Sequence, residues 1–168
     1  MSNRAENLVV QDEEDTQKGK YLTFTLGEEQ YGLEIKYVIE IIGIQEITVV
    51  PELPEYIKGI INLRGQIIPV MDVRLRFGKP FKEYNDRTCV IVVDIKGVSV
   101  GLIVDTVSEV YSIKDEDVVA PPDLTKGLSN RYIKGIGKGS SKVKLLIDCE
   151  RLLNDQVNEE LLNLSKGE

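Results

Sequence analysis

Between residues 20 and 148 the chain reads as short apolar runs broken by glycine, proline and charged residues. "YLTFTL" alternates large apolar residues with threonine, and "YGLEI" resumes the run after the turn-forming "GEEQ". Both have the period-two pattern of half-buried strands. "KYVIEIIG" permits two readings. Ile35, Val38, Ile39 and Ile42 fall at helical spacings with Gly43 as a stop, yet the same run serves as a strand. "ITVVPELPEYI" predicts a strand leading into a loop, because each proline removes a ladder donor.

"IKGIINL" and "IIPVMDVRL" predict two apolar strands, with "RGQ" as the reversal and Gly65 supplying its backbone freedom. "GKPFKEYNDR" predicts a loop. "TCVIVVDI", "KG" and "VSVGLIVDTV" carry the clearest hairpin signal. "VAPPDL" is a second proline loop, and "RYIKGIGKGSSKVKLLI" predicts strand, turn, strand. In "DCERLLNDQVNEELLNLSK", Leu152, Leu153, Val157 and Leu161 share one side, predicting an amphipathic helix over 149–165.

The pattern occurs twice. "IKGI" stands at 57–60 and again at 133–136, and Asp72 and Asp148 each follow by the same distance. "YGLEIKYVIEI" at 31–41 matches "VGLIVDTVSEV" at 100–110. Two matches in one order imply two related β subdomains, each a small curled sheet or barrel, with a shared apolar core between them. The turn after the first "IKGI" carries Arg64, whereas the second copy has "KGSSK". Arg64 is therefore a candidate for a role peculiar to the first copy, beside the plainer reading of a solvated residue at a hairpin corner.

Composition narrows the function. The chain has 168 residues, 42% hydrophobic and 29% charged, enough for one compact domain or two small halves on one core. The net charge of −7 argues against nucleic-acid and anionic-membrane surfaces. No apolar run approaches the roughly 20 residues of a membrane helix. Residues 1–18 are acidic and without periodicity, which predicts a disordered tail rather than an export signal, and hence a cytoplasmic location. Cys89 and Cys149 sit in apolar runs, as buried reduced thiols do.

The chain has no histidine. That removes Ser-His and Cys-His nucleophile pairs, His-bound zinc and a phospho-accepting histidine. Asp72, Asp94, Asp105, Glu109 and Asp148 lie near predicted strand ends, where carboxylates cap turns or pair with basic neighbours. "GIGKGSS" lacks the phosphate-loop spacing and a following helix. What remains is a β-rich chain that offers surfaces, with Glu40 and Arg64 as charged rim residues suited to setting partner specificity.

"FTLGEEQYGLEI", "VIEI", "PEYIKGIINLRGQIIPVMDVRLRF" and "VGLIVDTVSEV" together resemble the CheW family, the coupling proteins of bacterial chemotaxis. The resemblance runs from about residue 20 to 153. It implies a mainly β fold of two five-stranded barrel subdomains around a hydrophobic core, with a short helix in the first half and a C-terminal helix. The CheW-like domain would span 19–153, its subdomains either interleaved or consecutive, at roughly 20–80 and 86–148.

The resemblance further implies a non-enzymatic adaptor, without cofactor, monomeric when isolated. It would bridge chemoreceptor cytoplasmic tips to the regulatory domain of the histidine kinase CheA, recruited from the cytoplasm to receptor arrays. Matching positions place Val38, Glu40, Gly59 and Arg64 at the receptor-facing surface, with Val100 and Gly101 lining the same groove. Val119, Asp123 and Leu124 match the region of kinase or ring contacts, although the basic residue familiar at the Val119 position is missing. A peptide- or ligand-binding barrel outside chemotaxis is the rival reading.

Overall fold

The computed structural model describes residues 17–121, 131–138 and 142–153. The acidic tail up to residue 16 and the helix expected beyond residue 153 lie outside the described residues. The chain forms strands β1 (Lys20–Leu26), β2 (Glu29–Glu34), β3 (Val38–Gly43), β4 (Ile57–Leu63), β5 (Gln66–Asp72), β6 (Cys89–Ile95), β7 (Val98–Val104), β8 (Thr106–Ser112), β9 (Val118–Val119), β10 (Ile133–Gly137) and β11 (Lys144–Ile147). They make a six-stranded sheet ordered β8-β1-β2-β11-β10-β9 and a five-stranded sheet ordered β3-β6-β7-β5-β4.

The fold is mainly β, with short helical turns at Ile35–Tyr37, Val73–Arg76, Asp115–Asp117 and Cys149–Leu152. The ambiguous "KYVIEIIG" resolves into a 3-10 turn followed by a strand. Its β-branched residues enter a ladder with β6, pairing Ile41 with Ile91 and Ile42 with Val90. "IIPVMDVRL" is a strand only as far as Asp72. There the carboxylate accepts the Leu75 N–H at 3.3 Å and starts a helical turn.

The sequence repeat is a structural repeat. In each copy the first strand carries a bulge, between Ile57 and Gly59 and between Ile133 and Gly135. Asp72 and Asp148 make equivalent bonds, N–H to the Tyr56 carbonyl at 2.7 Å and N–H to the Tyr132 carbonyl at 2.8 Å. Each aspartate then caps a helical turn. The other matched pair also coincides: β2 lies parallel to β11, and β7 lies parallel to β5.

The copies do not fold side by side. The six-stranded sheet takes β1 and β2 from the first copy and all its other strands from the second. The five-stranded sheet takes β3, β4 and β5 from the first copy and β6 and β7 from the second. Strands from both ends of the chain thus share one sheet, and a cut between 80 and 86 divides neither sheet from the other.

Three apolar clusters follow from this layout. The largest lies between the sheets and includes Phe24, Tyr31, Ile57, Met71, Ile91, Leu102, Ile133 and Ile147. A second, with Ile61, Ile68, Val70, Val90, Val92 and Ile103, fills the concave side of the five-stranded sheet. A third, around Tyr21, Ile113 and Leu146, serves the other sheet. The chain leaving β3 crosses to the opposite edge of its sheet, where Thr48 and Ile60 exchange two backbone hydrogen bonds of 2.9 Å. This crossing curls the five-stranded sheet around the second cluster.

A row of aromatic rings in contact joins the layers, stacked at either end and tilted between Tyr31 and Phe77. Phe24, Tyr31, Phe77 and Tyr132 follow one another at centroid spacings of 5.5, 5.4 and 5.7 Å. The Arg76 guanidinium extends the row, 4.8 Å from the Tyr132 ring and 4.4 Å from that of Tyr56.

Candidate functional site

β4 and β5 are joined by a two-residue turn, Leu63 pairing directly with Gln66. Arg64 and Gly65 both have positive φ, 53° and 87°, as a type I′ turn requires. The Asn62 carboxamide oxygen accepts the Gly65 N–H at 2.8 Å and holds the turn. The β6–β7 hairpin is built alike, with Lys96 and Gly97 at positive φ and Asp94 accepting the Gly97 N–H. Gly65 thus does what the sequence predicts, and Arg64 shares the left-handed backbone.

That backbone throws the Arg64 side chain out of the hairpin and across to β3, where its guanidinium pairs with Glu40 Oε1. The arginine side chain is 71% exposed and the glutamate 27%. A pair this wet contributes at most about 1 kcal/mol to the fold. Its effect is to orient two charges at the end of the curled sheet.

Exposed apolar residues precede and follow Glu40 along β3. Ile39 is 54% exposed and Ile41 43%, on either side of Glu40. Ile41 pairs with Ile91 of the intersheet cluster, whereas Glu40 pairs with Val92 of the concave cluster. Paired residues share a face, so Ile41 carries the intersheet apolar face out to the edge of the sheet. β3 has β6 as its neighbour on one side and is the edge strand on the other. Val38, half-buried, packs against the intersheet cluster at the start of the same strand.

The other residues singled out from the sequence lie elsewhere. Gly59 is buried, and a Cβ there would sit 2.8 Å from the carbonyl carbon of Thr48. Its missing side chain serves the internal crossing. Val100 and Gly101 are buried in β7, where a Cβ on Gly101 would sit 2.7 Å from Val90 Cγ1 and 2.9 Å from Val70 Cγ1. Both pack the interior and line no accessible groove. Val119 is partly exposed in β9, beside Ile136 of β10. Asp123 and Leu124 lie outside the described residues.

The sequence does not single out Ile39 and Ile41, because "KYVIEIIG" permits both a helix and a strand and the two readings expose different residues. The only local signal is the single charged Glu40 between two isoleucines, and it does not say which face is covered. Among the acids, Asp105 receives Arg74 Nε at 2.9 Å and the Gly27 N–H at 2.7 Å, with Lys82 at 3.8 Å. Burial pushes its carboxyl up, but these partners outweigh burial and hold it below the usual range. Asp72 is committed to its cap and to the Tyr84 hydroxyl at 2.7 Å. Each is occupied by structure, and among the described residues there is no cluster of three acids or thiols able to hold a metal.

The CheW-like domain model matches residues 20–157. The chain belongs to the CheW-like domain family. A chemotaxis protein CheW of Klebsiella aerogenes is 36% identical over 148 residues, covering 88% of this chain and 89% of the relative. A CheW of Treponema pallidum is 31% identical over 147 residues, covering 85% and 86%. The solved scaffolding protein CheW of Thermoanaerobacter tengcongensis superposes with a TM-score of 0.76 at 40% identity, covering 83% of this chain and 94% of that one. CheW-like chains of this kind are chemotaxis scaffolds and not enzymes. No described helix is long and apolar enough to cross a membrane.

Proposed function

We propose that this chain is an adaptor that couples the cytoplasmic tips of chemoreceptors to the regulatory domain of the histidine kinase CheA. It works from the cytoplasm and is recruited to receptor arrays. The observation that carries this reading is the charged pair Arg64–Glu40 on an edge strand that also exposes Ile39 and Ile41, with Glu40 on one face of the strand and Ile41 on the other. An apolar strip with oriented charges suits the face of a partner helix. The apolar atoms supply affinity, and the pair sets register and rejects misaligned partners.

Val38, Glu40 and Arg64 then form the receptor-facing surface with Ile39 and Ile41, while Gly59, Val100 and Gly101 support it from beneath. The region around Val119, continuing through Asp123 and Leu124, is assigned to kinase or ring contacts. Val119 lies on the six-stranded sheet, so on this reading the two partners take different sheets.

The test is co-sedimentation of receptor-bearing membranes, CheA and this protein, with kinase activity read in the same tubes. Wild type should carry CheA into the pellet and place its activity under receptor control. Folded Arg64→Ala and Glu40→Ala variants should still bind CheA yet leave the membranes. Wild type that leaves CheA in the supernatant with unchanged activity would overturn the proposal.

A further inference from the structure

We propose that the two halves of this chain, residues 17–84 and 89–153, are mutual partners that a second copy of the chain can supply, so that two copies exchange halves into a reciprocal dimer. This inference is independent of the chemotaxis reading.

The topology carries it. Within the first half the chain makes only the β1–β2 and β4–β5 ladders and the Thr48–Ile60 bridge. Within the second it makes β6–β7, β10–β11 and β10–β9. All four remaining ladders, β1–β8, β2–β11, β3–β6 and β5–β7, run between the halves. Neither half has a whole sheet of its own, and isolated hairpins are marginal in water. Each half completes its sheets only with strands of the other.

Side-chain contacts repeat this division. The Thr23 hydroxyl donates to the Glu109 carbonyl at 2.7 Å, Arg74 pairs with Asp105, and Lys134 pairs with Glu34. The ring row passes from Phe77 in the first half to Tyr132 in the second. Every one of these contacts forms equally well when the second half belongs to another copy. That is the condition for low-cost exchange.

The connection shows where exchange would open. Up to Tyr84 it is fastened mainly to the first half: Lys79 to Glu29, Arg74 to the Pro80 carbonyl, and Tyr84 to Asp72. Residues 85–88 then form a local turn, with the Thr88 N–H on the Asn85 carbonyl at 3.1 Å and the Asn85 N–H on the Thr88 hydroxyl at 2.9 Å. Straightening this turn breaks these bonds and the Arg87 N–H bond to Asn85 Oδ1 at 2.8 Å, and exposes the buried Thr88. Closure within one chain wins at low concentration because the partner half is tethered nearby.

The experiment uses the full chain with a protease site inserted between Asp86 and Arg87. Lys20 and Ser112 are paired across β1 and β8, in different halves. One copy carries Lys20→Cys and another Ser112→Cys, both with Cys89→Ser. A chain carrying both new cysteines shows that the geometry permits the disulfide. After cleavage each protein should keep its mass and its circular dichroism. After the two are unfolded and refolded together, random pairing should cross-link about a quarter of the folded units, through the thiol introduced in β1 of one copy and that introduced in β8 of the other. Uncleaved copies refolded together at high concentration should give the same cross-link in a dimer of native spectrum.

Halves that part on cleavage and each keep their strand signal would overturn the proposal, as would cleaved protein that unfolds. So would a double-cysteine control that cross-links while the uncleaved mixture, refolded at high concentration, does not.

Discussion

Gly59 lies directly beneath the carbonyl of Thr48, where the chain leaving β3 crosses the far edge of its own sheet. A methyl group at Gly59 would have to displace backbone, its Cβ falling 2.8 Å from the Thr48 carbonyl carbon. The φ of 146° at Gly59 adds a second penalty, since side-chain-bearing residues rarely adopt it. Gly59→Ala should therefore cost roughly 3 kcal/mol or more. Gly65→Ala meets open space and only the cost of its φ of 87°, so it should lose about 1 kcal/mol. Paired denaturant titrations decide this, and equal losses would show that the crossing is not what Gly59 serves.

The Arg64–Glu40 pair should matter to partners and little to folding. Arg64→Ala, Glu40→Ala and the double variant should each unfold within about 1 kcal/mol of wild type, with a coupling energy of similar or smaller size. A coupling well above that, from a double-mutant cycle, would make the pair a structural clamp.

Exposed Ile39 and Ile41 should carry receptor affinity. Replacing both with Thr keeps β-branched residues on the strand, so the fold should hold. Binding to receptor membranes should fall at least about tenfold, which corresponds to roughly 1.4 kcal/mol. CheA binding measured by calorimetry should stay unchanged, and a parallel loss of both would point to a folding defect.

Acid should expose the role of Asp105. Its carboxyl is held below the ordinary value by Arg74, the Gly27 N–H and Lys82 against the upward push of burial. A depressed folded-state pKa means that the unfolded chain takes up the proton first. The stabilisation is then fully present above the unfolded value near pH 4 and is lost as pH falls through the folded value. Asp105→Asn should be less stable at pH 7 and show a shallower loss of stability below about pH 4. Parallel pH profiles for wild type and variant would remove Asp105 from the acid response.

Arg76 tests the ring row. Its guanidinium lies between Tyr56 and Tyr132, and its Nε is buried without a hydrogen bond. Two cation–π contacts favour the arginine by about 0.5–2 kcal/mol each, while the unsatisfied donor costs about 1–3 kcal/mol. Arg76→Met keeps most of the packing and removes both effects, so its net change should be within about 1 kcal/mol. Arg76→Ala also opens a gap between the rings and should cost about 2 kcal/mol more than Arg76→Met in thermal unfolding. Equal values for the two would show that the stem packs nothing.

Local features of this protein were legible from residue order because they depend on neighbours in sequence. "NLRGQ" and "DIKGV" specify tight hairpins, since positive φ and a preceding Asn or Asp side-chain acceptor are properties of a few consecutive residues. The doubled "IKGI…D" unit, the strand-rich character and the family were written in the same local way. Asp72 and Asp148 act as caps for equally local reasons.

Pairing between distant segments was decided only by the tertiary structure. Residue order shows two copies but not which copy's hairpin lies beside which, because both offer near-equivalent apolar edges. The strands that share a sheet settle that choice by burying three clusters at once. The same long-range packing put Val100 and Gly101 inside β7 and left Ile39 and Ile41 outside, although all four are small or aliphatic residues in similar runs. Whether an aliphatic residue becomes core or contact surface depends on what the rest of the chain lays over it. That covering is a property of the assembled sheets and not of the local pattern.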